Sequence, residues 1–232
     1  MKKNKRGILG ILIIVVGLGF IFYQPIVNNF IAPKNLEDNY KNNLTAEDIK
    51  GNLDRLKGLD VDEEELFDYE SVDTLRTMDI SPKINKDNVV GGIYVPSVNM
   101  VMPIMYGVNN DILRSSAGTM RPDQVMGKGN YVLLGHNSRN PNVLFAPIRR
   151  INMDDKIYVT DKEKLYVYEM YNSEVVMPDK VEVMNDTEED IVTLISCYSD
   201  DGSDRIIVKG ELVETLDFED ASEDVLNKLG QI

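Results

Sequence analysis

A succession of short apolar runs, rich in Val, Ile and Tyr, restricts the fold more than any other feature of this chain. It begins near Val89 and comprises Val89–Val95, Met100–Met105, Asn130–Leu134, Lys156–Thr160, Leu165–Tyr171, Ser173–Met177, Ile191–Cys197 and Arg205–Val213. Gly, Pro, Asn or Asp bounds each run, and β-branched and aromatic residues suit a pleated, half-buried surface. Only brief helical pieces fit between them, around Asp111–Ser116, Arg121–Gln124 and Val143–Arg149. Six to eight strands with short connections predict an all-β domain, a closed or nearly closed antiparallel barrel with short helices. Val98–Met105 and Leu144–Ile148 supply methionines and aliphatics that read as core rather than binding surface. No internal repeat or low-complexity tract interrupts the pattern.

Upstream the texture is different. Gly7–Tyr23 carries no charge and is mostly Ile, Leu, Val and Phe. As a helix rising about 1.5 Å per residue it would span roughly 25 Å, near the lower limit for a bilayer. The uncharged stretch continues to Pro33, and Phe20, Phe22 and Tyr23 sit where an interfacial aromatic belt would lie. Lys2, Lys3, Lys5, Arg6 and Lys34 are the only charges before Glu37, which leaves a net −19 for residues 37–232 out of the −14 total. Cations before the span and acidic mass after it predict a cytoplasmic amino terminus and an extracellular domain. No Ala-x-Ala-like site follows the apolar run, so an uncleaved anchor is expected rather than a signal peptide. The expected organisation is a basic head at 1–6, a single transmembrane helix at 7–27 and a stalk at 28–80. The barrel domain follows at 81–215 and an acidic tail, with one short helix, at 216–232.

Within the stalk, Leu53, Leu56 and Leu59 recur at near-helical spacing, and Thr45 with Asp48 resembles a capping box. A partly helical stalk holding the domain off the membrane and a flexible linker are both compatible with that composition. The acidic domain excludes nucleic acid as a natural partner, because such binding depends on neutralising phosphates.

The chain has one cysteine, Cys197, and one histidine, His136. A solitary extracellular cysteine makes no intramolecular disulfide, and by composition alone it would be a buried filler. Position argues otherwise. His136 ends the run from Tyr131, and Cys197 ends the run from Ile191, so both stand where a rigid strand meets solvent. Seven residues separate Cys197 from Arg205, on which the next run opens. If the two runs form an antiparallel hairpin, Arg205 lies beside the thiol at its mouth. Its fork of donors could stabilise a thiolate, hold a carbonyl or steady an oxyanion. Alternatively it pairs at the surface with Asp200, Asp201 or Asp204.

At these residues the chain resembles the sortase family, and its class A in particular. Thr193-Leu194-Ile195-Ser196-Cys197 is similar to the signature Thr-Leu-X-Thr-Cys, with an Arg opening the next strand. Leu134-Gly135-His136 followed by Leu144-Phe145-Ala146-Pro147-Ile148 resembles the stretch around the family's histidine. Gly91-Gly92-Ile93-Tyr94-Val95-Pro96 resembles its first strand, and Ala117-Gly118-Thr119-Met120 a run common in class A. The likeness covers roughly residues 88–214. Ser196 departs from the usual Thr but keeps the hydroxyl.

The resemblance implies an eight-stranded sortase-type barrel and a cysteine transpeptidase with His136, Cys197 and Arg205 as catalytic residues. It implies Ala117, Thr119, Thr193 and Ser196 as substrate-binding, and no cofactor. Cys197 would attack the Thr carbonyl of a Leu-Pro-X-Thr-Gly sorting signal on a surface protein. An amino group of a peptidoglycan precursor of the lipid II type would then resolve the thioacyl-enzyme. His136 would donate a proton to the leaving amine and take one from the incoming amine. With ordinary values of about 8.5 for Cys and 6.5 for His, thiolate and imidazolium coexist in under roughly one per cent of molecules at neutral pH. Some class A members bind calcium through acids before the histidine strand, but residues 119–130 offer only Asp123 here. The later run Asp186, Glu188, Glu189 and Asp190 reads as a solvated loop, so no metal is expected. The competing reading is a non-enzymatic surface β-domain, an adhesin or scaffold, with Cys197 as a structural filler.

Overall fold

The computed structural model describes residues 3–58, 63–69, 72, 84–199 and 201–232. The expected stalk residues 59–62, 70–71 and 73–80, and the first barrel residues 81–83, lie outside the described residues. Eight strands form a closed barrel: β1 (Val89–Val95), β2 (Met100–Met105), β3 (Ala117–Thr119), β4 (Asn130–Leu134), β5 (Lys156–Thr160), β6 (Lys164–Val176), β7 (Ile191–Cys197) and β8 (Arg205–Asp217). Their spatial order is β1-β2-β3-β4-β7-β8-β6-β5, closing on β1. Closure leaves no sheet edge unpaired. Side chains such as Tyr168, Phe145, Ile104, Leu133, Ile157 and Leu194 are fully buried.

Three details differ from the sequence reading. The barrel is mixed rather than antiparallel, because β2 pairs with β3 and β4 with β7 in parallel. The separate runs Leu165–Tyr171 and Ser173–Met177 are one strand, β6, whose register against β8 shifts between Met170 and Asn172. That bulge steps over Tyr171 and bends the strand without ending it. Arg121–Gln124 is a turn instead of a helical piece. Its Gln124 side chain accepts the Arg121 backbone N–H at 3.2 Å and satisfies the group a helix would have used.

Among the described residues, six α-helices accompany the barrel. Helices α1 (Lys3–Ile26) and α2 (Ala32–Tyr40) are joined by a π-helical turn, followed by α3 (Ala46–Gly58) and the single turn α4 (Glu63–Leu66). A further single turn, α5 (Asn110–Leu113), follows β2, and α6 (Glu223–Leu229) closes the tail. Helix α1 coincides with the apolar run, although among the described residues no helix is long and apolar enough to cross a membrane. The expectation of a transmembrane helix at 7–27 is therefore met as a helix and not as a span. Thr45 and Asp48 cap α3 reciprocally: Asp48 Oδ2 accepts the Thr45 N–H at 2.8 Å, and Thr45 Oγ1 accepts the Asp48 N–H at 3.1 Å. Leu36 of α2 and Leu56 of α3 are buried in the same core as the barrel. Two helices of the expected stalk thus pack on the domain they precede.

Candidate active site

The parallel pairing of β4 with β7 sets the site. Leu134 stands opposite Ile195, and the Gly135 N–H donates to the Ile195 carbonyl at 3.1 Å. Two residues beyond this pair, the adjacent chains reach His136 and Cys197. On the other side of β7, Cys197 is in register with Arg205 of β8. The thiol therefore sits between the histidine strand and the arginine strand, which in a sheet lie about 4.8 Å to either side.

Two contacts fix these strand ends. Ser196 Oγ donates to the Gly135 carbonyl at 2.8 Å, tying the cysteine strand to the residue before His136. Gly135 is packed so closely under Phe145 that a Cβ there would come well inside 3.0 Å of the ring. Phe145 is fully buried and its N–H donates to the His136 carbonyl at 3.0 Å. His136, itself buried, has Nε2 3.2 Å from Asn110 Oδ1, which accepts whenever that nitrogen carries its proton. Asn110, the first residue of α5, had no signal in the sequence beyond a turn-forming Asn pair.

His136, Cys197 and Arg205 line one groove of about 480 Å³. Its walls are largely apolar: Leu134, Val176, Ile195 and Ile207 from the barrel, Val181, Val183 and Met184 from the β6–β7 connection, and Met120. Cys197 is half-buried. Burial pushes its thiol above the usual value, the Arg205 charge pulls it down, and Asp204 pushes it up again. The Arg205 guanidinium donates to the carbonyls of Gly202 at 2.8 Å and Asp204 at 2.9 Å. Among the described residues it has no carboxylate partner within ion-pair distance, so the surface pairing with Asp201 or Asp204 does not form. Asp200 lies outside the described residues.

Ala117, Thr119, Thr193 and Ser196 are buried and do not line this groove. Thr193 Oγ1 donates to Asn130 Oδ1 at 2.6 Å, and Thr119 Oγ1 accepts the Gly107 N–H at 2.8 Å. The expected substrate-binding set is thus placed in the frame behind the groove, while the catalytic set meets at its floor.

Among the described residues, no group of three His, Cys, Asp or Glu side chains could hold a metal ion. Asp123 pairs with Arg121 at 3.1 Å, and the same guanidinium reaches Asp186 at 3.4 Å and the Met184 carbonyl. Asp186 also accepts the Asn130 N–H at 3.0 Å and Asp190 the Gly129 N–H at 2.8 Å. Asp186, Glu188, Glu189 and Asp190 are all exposed, as expected of a solvated loop, and two of these acids also anchor the start of β4.

Residues 93–213 match the Sortase domain family. The chain is 36% identical to sortase A of Listeria monocytogenes over 89% of its own length and 91% of that protein. It is 34% identical to sortase A of Streptococcus agalactiae over 95% of its length and 90% of that protein. The crystal structure of Listeria monocytogenes sortase A superposes with a TM-score of 0.58 at 38% identity, covering 62% of this chain and 99% of that one. These relationships leave the scaffold reading without support. The chain belongs to the sortase family, within class A, and is a cysteine transpeptidase of cell-wall sorting.

Proposed function

We propose that this transpeptidase cleaves a Leu-Pro-X-Thr-Gly sorting signal between Thr and Gly and joins the new Thr carbonyl to an amino group of a lipid II-type peptidoglycan precursor. One observation carries the reading: Cys197 stands between His136 and Arg205 at the floor of an apolar groove. An extended, largely uncharged peptide suits such walls, and its scissile carbonyl would come to rest at the thiol.

Cys197 Sγ attacks the Thr carbonyl carbon as the thiolate, and the carbonyl oxygen becomes an oxyanion. Of the two Arg and Lys side chains that line the groove, Arg205 and Lys180, Arg205 is the one in register with Cys197. We assign it to the oxyanion and the substrate backbone. His136, protonated and held at Nε2 by Asn110, gives its Nδ1 proton to the departing Gly amine as the C–N bond breaks, which leaves a thioester. The incoming amine then forms a new C–N bond, His136 takes its proton, and the C–S bond breaks to return the thiolate. Asn110 holds the imidazole during both transfers. Ala117, Thr119, Thr193 and Ser196 act through the frame, with Ser196 keeping the cysteine and histidine strands in step.

We also propose that α1 anchors the enzyme in the cell membrane, with its amino terminus inside and the barrel outside. Leu9, Ile11, Leu12, Ile14, Val15, Ile21 and Phe22 all stand exposed on this helix, an apolar surface that needs a cover.

The test is mass spectrometry of the purified chain with a sorting-signal peptide, with and without an amine. A thioester on Cys197 that converts to an amide is the expected result. No adduct, or an adduct that persists in Cys197→Ala, would overturn the assignment. For the anchor, the full chain should sediment with membranes and a chain lacking residues 1–35 should not.

A further inference from the structure

Around the reacting thiol, outside the groove, lies a group of arginines that the scheme above does not use. The chain is strongly acidic, with 39 Asp and Glu against 25 Lys and Arg. Lys41, Arg114, Arg121, Lys156, Lys164 and Lys180 each pair with a carboxylate. Among the described residues, Arg139, Arg149 and Arg150 do not, and neither do lysines such as Lys50, Lys57, Lys128 and Lys209; the three arginines stand out by their place. All three belong to the segment that follows His136. Arg139 is exposed and makes no hydrogen bond within the described residues. Arg150 donates to the Pro141 carbonyl and to Asn142 Oδ1 at 3.0 Å, which holds it against the same loop. Arg149 donates to the carbonyl of Tyr198, the residue after Cys197, at 2.6 Å, and its guanidinium carbon lies 4.9 Å over the Tyr198 ring.

A guanidinium stacked on an aromatic face keeps its remaining edge donors free, and that planar edge matches a carboxylate. Among the described acids of the β7–β8 connection, Asp204 accepts from Ser199 and Asp201 from Ser203. None of the three arginines lines the apolar groove. They form a separate, basic flank that meets the thiol through Tyr198, on a protein whose overall charge repels anions.

We infer that this flank seats the acceptor, and that the acceptor carries a carboxylate close to its reacting amine. The inference rests on the thioacyl transfer proposed above and adds the chemistry of its second substrate. The donor peptide occupies the groove. The acceptor arrives from the other flank, its carboxylate held by Arg149 and Arg139 or Arg150. Its amine nitrogen then bonds to the thioester carbon, the C–S bond breaks, and the amine proton passes to His136. Holding the amine in place raises its local concentration against water, the competing nucleophile.

The experiment offers the enzyme a sorting-signal peptide with equimolar glycylglycine and glycylglycinamide, and reads the ratio of the two amide products by mass. The wild type should favour the carboxylate acceptor by roughly three- to tenfold at low salt, the range of an exposed charge-assisted pair, and less so at high salt. Arg149→Gln with Arg150→Gln should bring the ratio close to one. Arg139→Gln, which removes no bond from the scaffold, should lower it in part. A thioester detected in each variant shows that its site is still assembled. A ratio near one in the wild type, or a preference unchanged in the variants, would overturn the inference while leaving the transfer reaction intact. Absence of any thioester in the wild type would instead overturn the reaction on which it rests.

Discussion

Arg205 lies directly across the β7–β8 ladder from Cys197, with its guanidinium held by the carbonyls of Gly202 and Asp204 in the loop between them. Those two bonds aim a fixed charge at the groove before any substrate arrives, and an oxyanion needs no rearrangement to meet it. Arg205→Ala should therefore slow acyl-enzyme formation by about 10²- to 10³-fold, comparable with loss of an oxyanion donor. Melting temperature should change little, since the side chain supports only its own loop. Arg205→Lys keeps the charge but loses the fork and should recover only part of the rate. Pre-steady-state acylation of both variants checks this, and a near-normal rate for Arg205→Ala would remove the residue from the mechanism.

The Cys197 thiol is held above its usual value by burial, with Arg205 and Asp204 pulling in opposite directions. Alkylation by iodoacetamide follows the thiolate, so its rate should keep rising with pH beyond the ordinary Cys value of about 8.5. Asp204→Asn removes the charge that raises the thiol and should shift the profile to lower pH. Arg205→Met removes the charge that lowers it and should shift the profile upward. The same sign governs stability. The folded chain keeps this proton longer than the unfolded one, so its contribution is complete below about 8.5 and is lost as pH rises through the folded value. Identical profiles in all three proteins would show that these charges do not act on the sulfur.

Much of this was legible from local sequence, and the remainder was not for identifiable reasons. Runs such as Val89–Val95 and Ile191–Cys197 carry the β-branched composition of strands wherever they pair. Ala117–Thr119 carries only Thr119 of that kind, beside a Gly, and is a strand because β2 and β4 flank it. Cys197 and Arg205 were readable as a hairpin mouth because a short connection joins them. His136 beside Cys197 was not, because parallel pairing of β4 with β7 has no local signature; the antiparallel arrangement expected from short connections would have sent the two ends to opposite rims. The family resemblance supplied that juxtaposition. Asn110 and Arg149 escaped notice since each acquires its role from a partner distant in sequence, His136 and Tyr198. Ala117, Thr119, Thr193 and Ser196 show the converse: the motif positions were legible, but only coordinates place their side chains behind the groove.

Gly135 should be intolerant of any side chain. The Phe145 ring occupies the place of its Cβ, and Phe145 is in turn bonded to the His136 backbone. Gly135→Ala must displace either the ring or the strand end that carries the histidine. The expected cost is about 1–3 kcal/mol of stability together with slower acylation. Adding Phe145→Leu makes room and should restore part of both. The double-mutant cycle in denaturant unfolding is the measurement, and strict additivity would show that the two residues do not compete for one space.

Lys162, in the β5–β6 turn, fastens the helical amino-terminal segment and the carboxy-terminal tail to the barrel at one point. Its Nζ donates to the main-chain oxygens of Leu44 at 2.6 Å, Gly230 at 3.0 Å and Ile232 at 2.6 Å. Lys162→Met keeps the apolar stem and removes all three bonds, at an expected cost of about 1.5–3 kcal/mol. Amide exchange should quicken in α6 and around Leu44 while β4 and β7 stay protected, because the tie is remote from the groove. Burial pulls this ammonium down to about 8, with the Asp48 charge opposing. An unfolded lysine keeps its proton to about 10.4, so between these values the unfolded chain binds more protons and the wild type gains stability as pH rises. Lys162→Met lacks that site. Its deficit against the wild type should therefore widen from pH 8 to pH 10 in urea unfolding, and a constant or shrinking deficit would show that the amine is not desolvated in the folded protein.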